Sequence, residues 1–199
     1  MKRLPTRQSL LHLAAAVLVA GLAACDSKPS GGPAESTGIS PSKMADALFA
    51  VMAADRTVYS NQVVYRLQDV EEVIKASEHW DNQKALPLPA QMFRMSAGLV
   101  AKQTDAFSYA LLSKWPLNKE NAPKTEVEVA GLDSVAENPS KPFYGRETMG
   151  DVEYFTAVYA DVAVSPSCVT CHNAHEDSPR NDFKAGDVMG GVVIRIPLR

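Results

Sequence analysis

Cys168-Val169-Thr170-Cys171-His172 is the stretch whose residue types and spacing could do chemistry. Two cysteines two residues apart, followed at once by histidine, form the pattern of c-type haem attachment. Each thiol can add across one porphyrin vinyl group to give a thioether, and the adjacent imidazole can reach the iron as axial ligand. Three other chemistries share parts of the pattern. A thioredoxin-like redox pair wants a βαβ context, which Pro166-Ser167 and the polar stretch after the pair do not supply. A structural disulfide over so short a span would close a strained loop. Zinc could use Cys168, Cys171, His172 and His175, but four ligands within eight residues are crowded. Zinc sites usually draw two ligands from each of two separate segments.

Haem of this kind is attached after export, so the N-terminus bears on the reading. Lys2, Arg3 and Arg7 form a positive start, Leu10 to Ala20 an apolar core broken only by His12, and Leu22-Ala23-Ala24-Cys25 a small-residue close. The apolar run is too short to span a bilayer and has signal-peptide flanks. Leu-Ala-Ala-Cys resembles a bacterial lipoprotein box, which implies cleavage before Cys25 and lipidation of its sulfur. An ordinary secretory signal with a free cysteine is the alternative. Several acyl chains on one residue hold stably where a single chain is marginal. Asp26 resembles the inner-membrane retention signal of enterobacterial lipoproteins. The expected location is therefore periplasmic, lipid-anchored to the inner membrane. Lipid on Cys25 and haem on Cys168 and Cys171 would use all three cysteines, as an oxidising compartment favours.

The 199 residues are 46% hydrophobic and 22% charged, enough for one domain with a core. Net charge is −3, and loss of residues 1–24 with their three cations takes it to about −6. A mildly acidic chain with no basic stripe argues against nucleic-acid binding. Three segments follow: a signal peptide over 1–24, a tether over 25–42 and a folded domain over 43–199. Ser27 to Ser42 hold three prolines, three glycines and five serines, a coil reaching roughly 20–25 Å. Apolar residues at three- to four-residue steps from Met44 to Ile74 predict one long helix over Lys43–Ser77, with Ser42 as N-cap. Lys84–Gln91 reads as a loop, and Pro89 as the first turn of a second helix ending near Lys102. Phe107, Tyr109 and Leu111 alternate as a strand. Lys124–Glu137 reads as a helix with Val127, Leu132 and Val135 inward. A hairpin is predicted over Phe143–Thr148 and Glu153–Val162, turning at Met149-Gly150-Asp151. The motif lies in a loop over Ser165–Lys184, and Val188–Pro197 is the last strand. Gly190-Gly191 inside it suggest a bulge, a close approach to a flat ligand, or a simple twist.

Helices first, then an antiparallel sheet with the motif before its last strand, resemble a single-haem-c, PAS-like sensor domain family. That domain also occurs in extracytoplasmic parts of bacterial kinases, chemoreceptors and cyclases. The resemblance covers Ala45 to Leu198. It is most specific from Cys168 through His175 and Asp177-Ser178-Pro179 to Asp182-Phe183-Lys184-Ala185-Gly186-Asp187-Val188-Met189-Gly190. Weaker matches are Asp55-Arg56, Tyr59, Val63-Val64, Pro89-Ala90, Ser113, Pro116, Asn118 and Asn121. It implies an α+β, PAS-like fold with long N-terminal helices on an antiparallel sheet, one haem c against that sheet, and a sensory or redox role. Some members place a first-helix cysteine on the distal side of the iron; this chain has none there. No kinase, cyclase or receptor domain follows Arg199, so a signal is expected to leave through a separate protein.

The leading expectation is a sensor of redox state or of a small gas at the iron, and not an enzyme, because no distal acid–base pair is evident. The alternative is a single-haem electron carrier. His175 lies too close to His172 in sequence to pass round the porphyrin to its far side. By the resemblance, the first helix covers that side, where Arg56 and Tyr59, one turn apart, could border an open or water-filled site. Met52, Met92 and Met95 are thioether alternatives, although methionine at helical spacing is more often core filler. The anchor is tested by Cys25→Ala: the protein should leave the membrane fraction with its absorption spectrum intact, and retention on the membrane would refute lipid anchoring.

Overall fold

The computed structural model describes residues 38–198. The leader, Cys25 and the tether up to residue 37 lie outside them. The first helix, α1 (Pro41–Val58), starts two residues before the expected point. Ser40 caps it, accepting from the Lys43 N–H at 3.3 Å, and Pro41 supplies the first turn. Proline's fixed φ suits that position, and its missing N–H would have found no partner there. The helix then widens into a π-helix over Tyr59–Val70 and stops at Glu71, short of the expected Ser77. Glu72 takes a left-handed φ of 51° and turns the chain away. Val70 and Val73 continue the apolar rhythm yet are 61% and 68% exposed, so nothing packs to carry the helix further.

Two short strands, β1 (Ala76–Ser77) and β2 (Leu86–Pro87), pair in parallel across the stretch expected as a loop. Proline in β2 has no N–H to extend the ladder. Next come α2 (Pro89–Gln103), β3 (Ser108–Leu112), a single 3₁₀ turn at Lys119–Asn121 and α3 (Glu126–Glu137). Thr125 caps α3 and Glu128 returns the bond to the cap's backbone, a capping box. Then follow β4 (Phe143–Met149), β5 (Val152–Val162), α4 (Pro166–Ala174) and β6 (Val188–Pro197). No helix among the described residues is long and apolar enough to cross a membrane.

The larger sheet is antiparallel in the order β3-β6-β5-β4. This is the α+β arrangement expected, with long N-terminal helices on an antiparallel sheet. Strand alternation gives it two apolar faces. Ala157, Tyr159, Val192 and Ile194 face Ala45, Leu48, Phe49 and Met52 of α1 and Phe93 of α2. Leu112, Val158 and Val193 face Leu132 and Val135 of α3. The helices thus cover both sides. Gly190 and Gly191 serve this packing, not a flat ligand. A Cβ at Gly190 would strike the Leu112 carbonyl, and one at Gly191 would lie 2.7 Å from Leu132 and 3.0 Å from Val158.

One buried charge network crosses the α3 side. Arg195 Nε donates to Glu147 at 2.7 Å and its Nη2 to Glu128. Thr156 donates to the same Glu147 oxygen at 2.7 Å. Burial pushes the Glu147 carboxyl up, but Thr156, Thr125 and Arg195 outweigh it, and the group is held below its ordinary value. A carboxylate so depressed stabilises the fold above its unfolded pKa and loses that contribution as pH falls below it. Arg195→Met, which strands two buried carboxylates, should destabilise the protein by about 3–5 kcal/mol at neutral pH. It should also reverse the acid dependence, so that mild acid partly restores stability. Urea titrations at several pH values check both; a parent-like pH profile in the variant would refute the assigned role.

Candidate functional site

The motif sits on a helix, not in the loop expected from sequence. Ser165 caps α4, accepting from the Ser167 N–H at 3.4 Å, and Pro166 takes the first turn. These are ordinary helix-start residues, masked in the sequence by the β-branched Val169-Thr170 and the polar run that follows. A helix matters here because positions three and four apart share a face. Cys168 therefore shares a face with Cys171 and with His172, one turn further on.

Both thiols are free and half-buried. Burial pushes each above its ordinary value; at Cys168 the positive Arg56 works against this, and at Cys171 the neighbouring Cys168 adds to it. A redox-active pair would have a depressed thiol instead. Burial likewise lowers His172, against the pull of Asp161. The Nδ1 of His172 is buried with no hydrogen-bond partner among the described residues. Two neutral thiols and a neutral, uncommitted imidazole on one helix face are the donor set a c-type haem requires. His175 ends the helix: its N–H bonds the Cys171 carbonyl at 3.0 Å and its Nδ1 accepts from the Asp177 N–H at 3.1 Å. Its Nε2 lies 3.8 Å from Glu78. Among the described residues no three His, Cys, Asp or Glu side chains converge on a point where a metal ion could sit.

Four elements fix α4 in place. Cys168 and Val169 pack on a small core of Ala163, Phe183 and Met189, with Trp115 beside it. Ser113, in the weakly matching stretch of the sequence, donates to the Met189 carbonyl at 2.6 Å and accepts from the Trp115 N–H at 2.9 Å. Ser167 donates to Asp69 at the end of the π-helix, at 2.5 Å. Asp161, at the end of β5, accepts two bonds of 2.8 Å from Arg56 on α1. That pair is only 11% exposed on either side. Burial works against the Arg56 charge, and Asp161 more than restores it, so the guanidinium is held above its ordinary value.

The sequence-predicted distal residues divide at this point. Arg56 is brought to the motif, since its charge acts on both Cys168 and His172. Two of its donors are committed to Asp161, and Nη1 is buried without a partner among the described residues. Tyr59 turns elsewhere: its hydroxyl donates to the Pro87 carbonyl at 2.8 Å, and burial raises its pKa. Among the methionines, Met52 packs on the α1 side of the sheet, Met92 accepts from Ser96 Oγ at 3.9 Å, and Met95 is 40% exposed. The sequence reading missed Asp161, Asn173, Phe183 and Arg180 as parts of the site. Asp161 carried no signal beyond an acid at the end of a strand-prone run.

The chain belongs to the Tll0287-like family, whose model matches residues 36–197. No curated protein matches it. A solved structure, that of the cyanobacterial heme-protein Tll0287, aligns over 81% of this chain and 98% of its own, at 13% identity and a TM-score of 0.46.

The Arg56–Asp161 pair supplies a test of how the site is held. Asp161→Ala alone leaves a buried guanidinium uncompensated and should cost about 3–5 kcal/mol. Arg56→Met with Asp161→Leu removes both charges and should lose much less. A double-mutant cycle in denaturant measures the coupling, and strictly additive losses would show that the pair does not act as a unit.

Proposed function

We propose that this protein is a lipid-anchored, periplasmic c-type haem protein that senses redox state or a small ligand. One haem c would be joined through Cys168 and Cys171, with His172 as axial ligand. The observation that carries the reading is the α4 helix, where two unbridged thiols and an imidazole with a buried nitrogen unpartnered among the described residues lie within about one turn. The family's namesake is described as a cyanobacterial heme-protein, which supports the haem part of the reading. Bound there, haem would supply an iron that changes charge on reduction and can take a sixth ligand.

The chain's own residues then have defined tasks. Cys168 and Cys171 each lose a thiol hydrogen to a vinyl carbon and gain a carbon–sulfur bond, with no net redox change. His172 offers a neutral nitrogen, since burial disfavours its protonated form. Arg56 and Asp161 join the first helix to the strand that leads into the motif. A change of charge near α4 is therefore felt by α1, the helix that leads back towards the tether. This favours a sensor whose output passes to a separate signalling or redox protein, with Cys25 holding it at the inner membrane. Arg56 borders the distal side in this reading, and no catalytic turnover is assigned.

Cys168→Ala with Cys171→Ala should abolish haem that survives a denaturing gel, and His172→Ala should leave covalent haem with altered ligation. Haem persisting on the double variant would overturn the attachment. The ferrous absorption spectrum should shift on adding carbon monoxide. Indifference to carbon monoxide in both oxidation states would favour the electron carrier over the sensor.

A further inference from the structure

The His172 ring meets an aromatic ring at right angles, and its Nδ1 has no hydrogen-bond partner among the described residues. An axial histidine ordinarily has its ring plane fixed by the bond its second nitrogen makes to a carbonyl or carboxylate. Here Nδ1 is buried and has no partner among the described residues. What meets the ring is Phe183, with centroids 5.8 Å apart and planes at 89°.

Phe183 is itself unusually well fixed. It is 3% exposed. Its N–H donates to Asn173 Oδ1 at 2.9 Å, and its carbonyl accepts from Asn173 Nδ2 at 2.9 Å. Asn173 directly follows His172, so one amide ties the aromatic wall to the helix that carries the imidazole. The Arg180 guanidinium lies 4.1 Å from the Phe183 ring centroid and 4.9 Å from that of Trp115. Trp115 meets Phe183 edge-on at 5.9 Å. Arg180 is in turn held by Asp182 at 2.7 Å. The ring is thus pinned at its backbone by Asn173 and over its face by Arg180.

We propose that Phe183 is a positioning residue that sets the plane of the His172 imidazole, with Asn173 and Arg180 holding Phe183 in place. The inference rests on the haem reading above. An edge contact restricts rotation of the imidazole while offering Nδ1–H no acceptor. The ligand then keeps neutral imidazole character, which favours the reduced iron relative to a hydrogen-bonded, more basic histidine.

Phe183→Leu keeps an apolar side chain and removes the flat edge. In the ferric holoprotein it should change the spread of the hyperfine-shifted haem-methyl proton resonances, which report the ligand plane. The midpoint potential should stay near the parent's, because leucine also offers Nδ1–H no acceptor. Covalent haem content and circular dichroism should match the parent. Arg180→Gln, which frees one side of the ring, should move the resonances in the same sense by less, and it serves if Phe183→Leu does not fold. Parent-like resonances in the folded variant would overturn the proposal. A parent chain with no gel-stable haem would instead overturn the functional reading beneath it, and the gel stain tells the two failures apart.

Discussion

Everything at the site depends on the ion pair between Arg56 and Asp161. Its partners are separated by 105 positions in the chain. Burying two charges is costly unless each is fully compensated. Here both Asp161 oxygens are bonded to one guanidinium in the side-on, two-bond geometry that suits arginine. The pair fixes the end of β5 against α1, and α4 begins at Pro166, shortly after β5 ends at Val162. The strand that leads into the thiol-bearing helix cannot shift relative to the first helix without breaking that contact. Lysine at position 56 could not reproduce the two parallel bonds.

The sheet behind the site explains why the ion pair can be held so firmly. Strand β6 pairs along both edges, with β3 and β5, and is buried over most of its length. At its start it drops its side chains, at Gly190 and Gly191, to let β3 and α3 approach. Just before them Met189 contributes to the small core under Cys168. The same strand thus packs α3 on one face, α1 and α2 on the other, and α4 at its end. The charged cluster around Arg195 lies on the α3 side: one guanidinium bonds two carboxylates, and the Thr156 hydroxyl donates to one of them, Glu147.

Much of this was legible in the residues, for reasons that also mark the limit. β5 and β6 announced themselves because alternation and β-branched content report a sheet's two faces directly. The motif was legible because its chemistry lies in adjacent residues. The π-helix was not, because apolar residues at three- to four-residue steps look alike whether the hydrogen bonds close at four or five residues. The stop at Glu71 was hidden for a related reason. Val70 and Val73 keep the rhythm of a buried face although they stand in solvent. Tyr59 and Arg56 were grouped by helical spacing, yet Tyr59 found a backbone carbonyl and Arg56 a carboxylate far away in sequence. Spacing places side chains on a face; it does not say which partner waits there.

The same limit explains why the surroundings of His172 could be seen only in three dimensions. Asn173 and Phe183 both belong to the segment that carries the family resemblance, but nothing in the sequence links them. The fold brings them together because the chain after α4 doubles back, with Phe183 buried beside Ala163 and Met189. Once there, the Asn173 amide satisfies both backbone polar groups of a buried residue that lies in neither helix nor strand, which would otherwise be left without partners. Arg180 closes the outer side over two aromatic rings, a contact that strengthens as water is excluded. A nonpolar wall built this way needs no hydrogen bond to the imidazole.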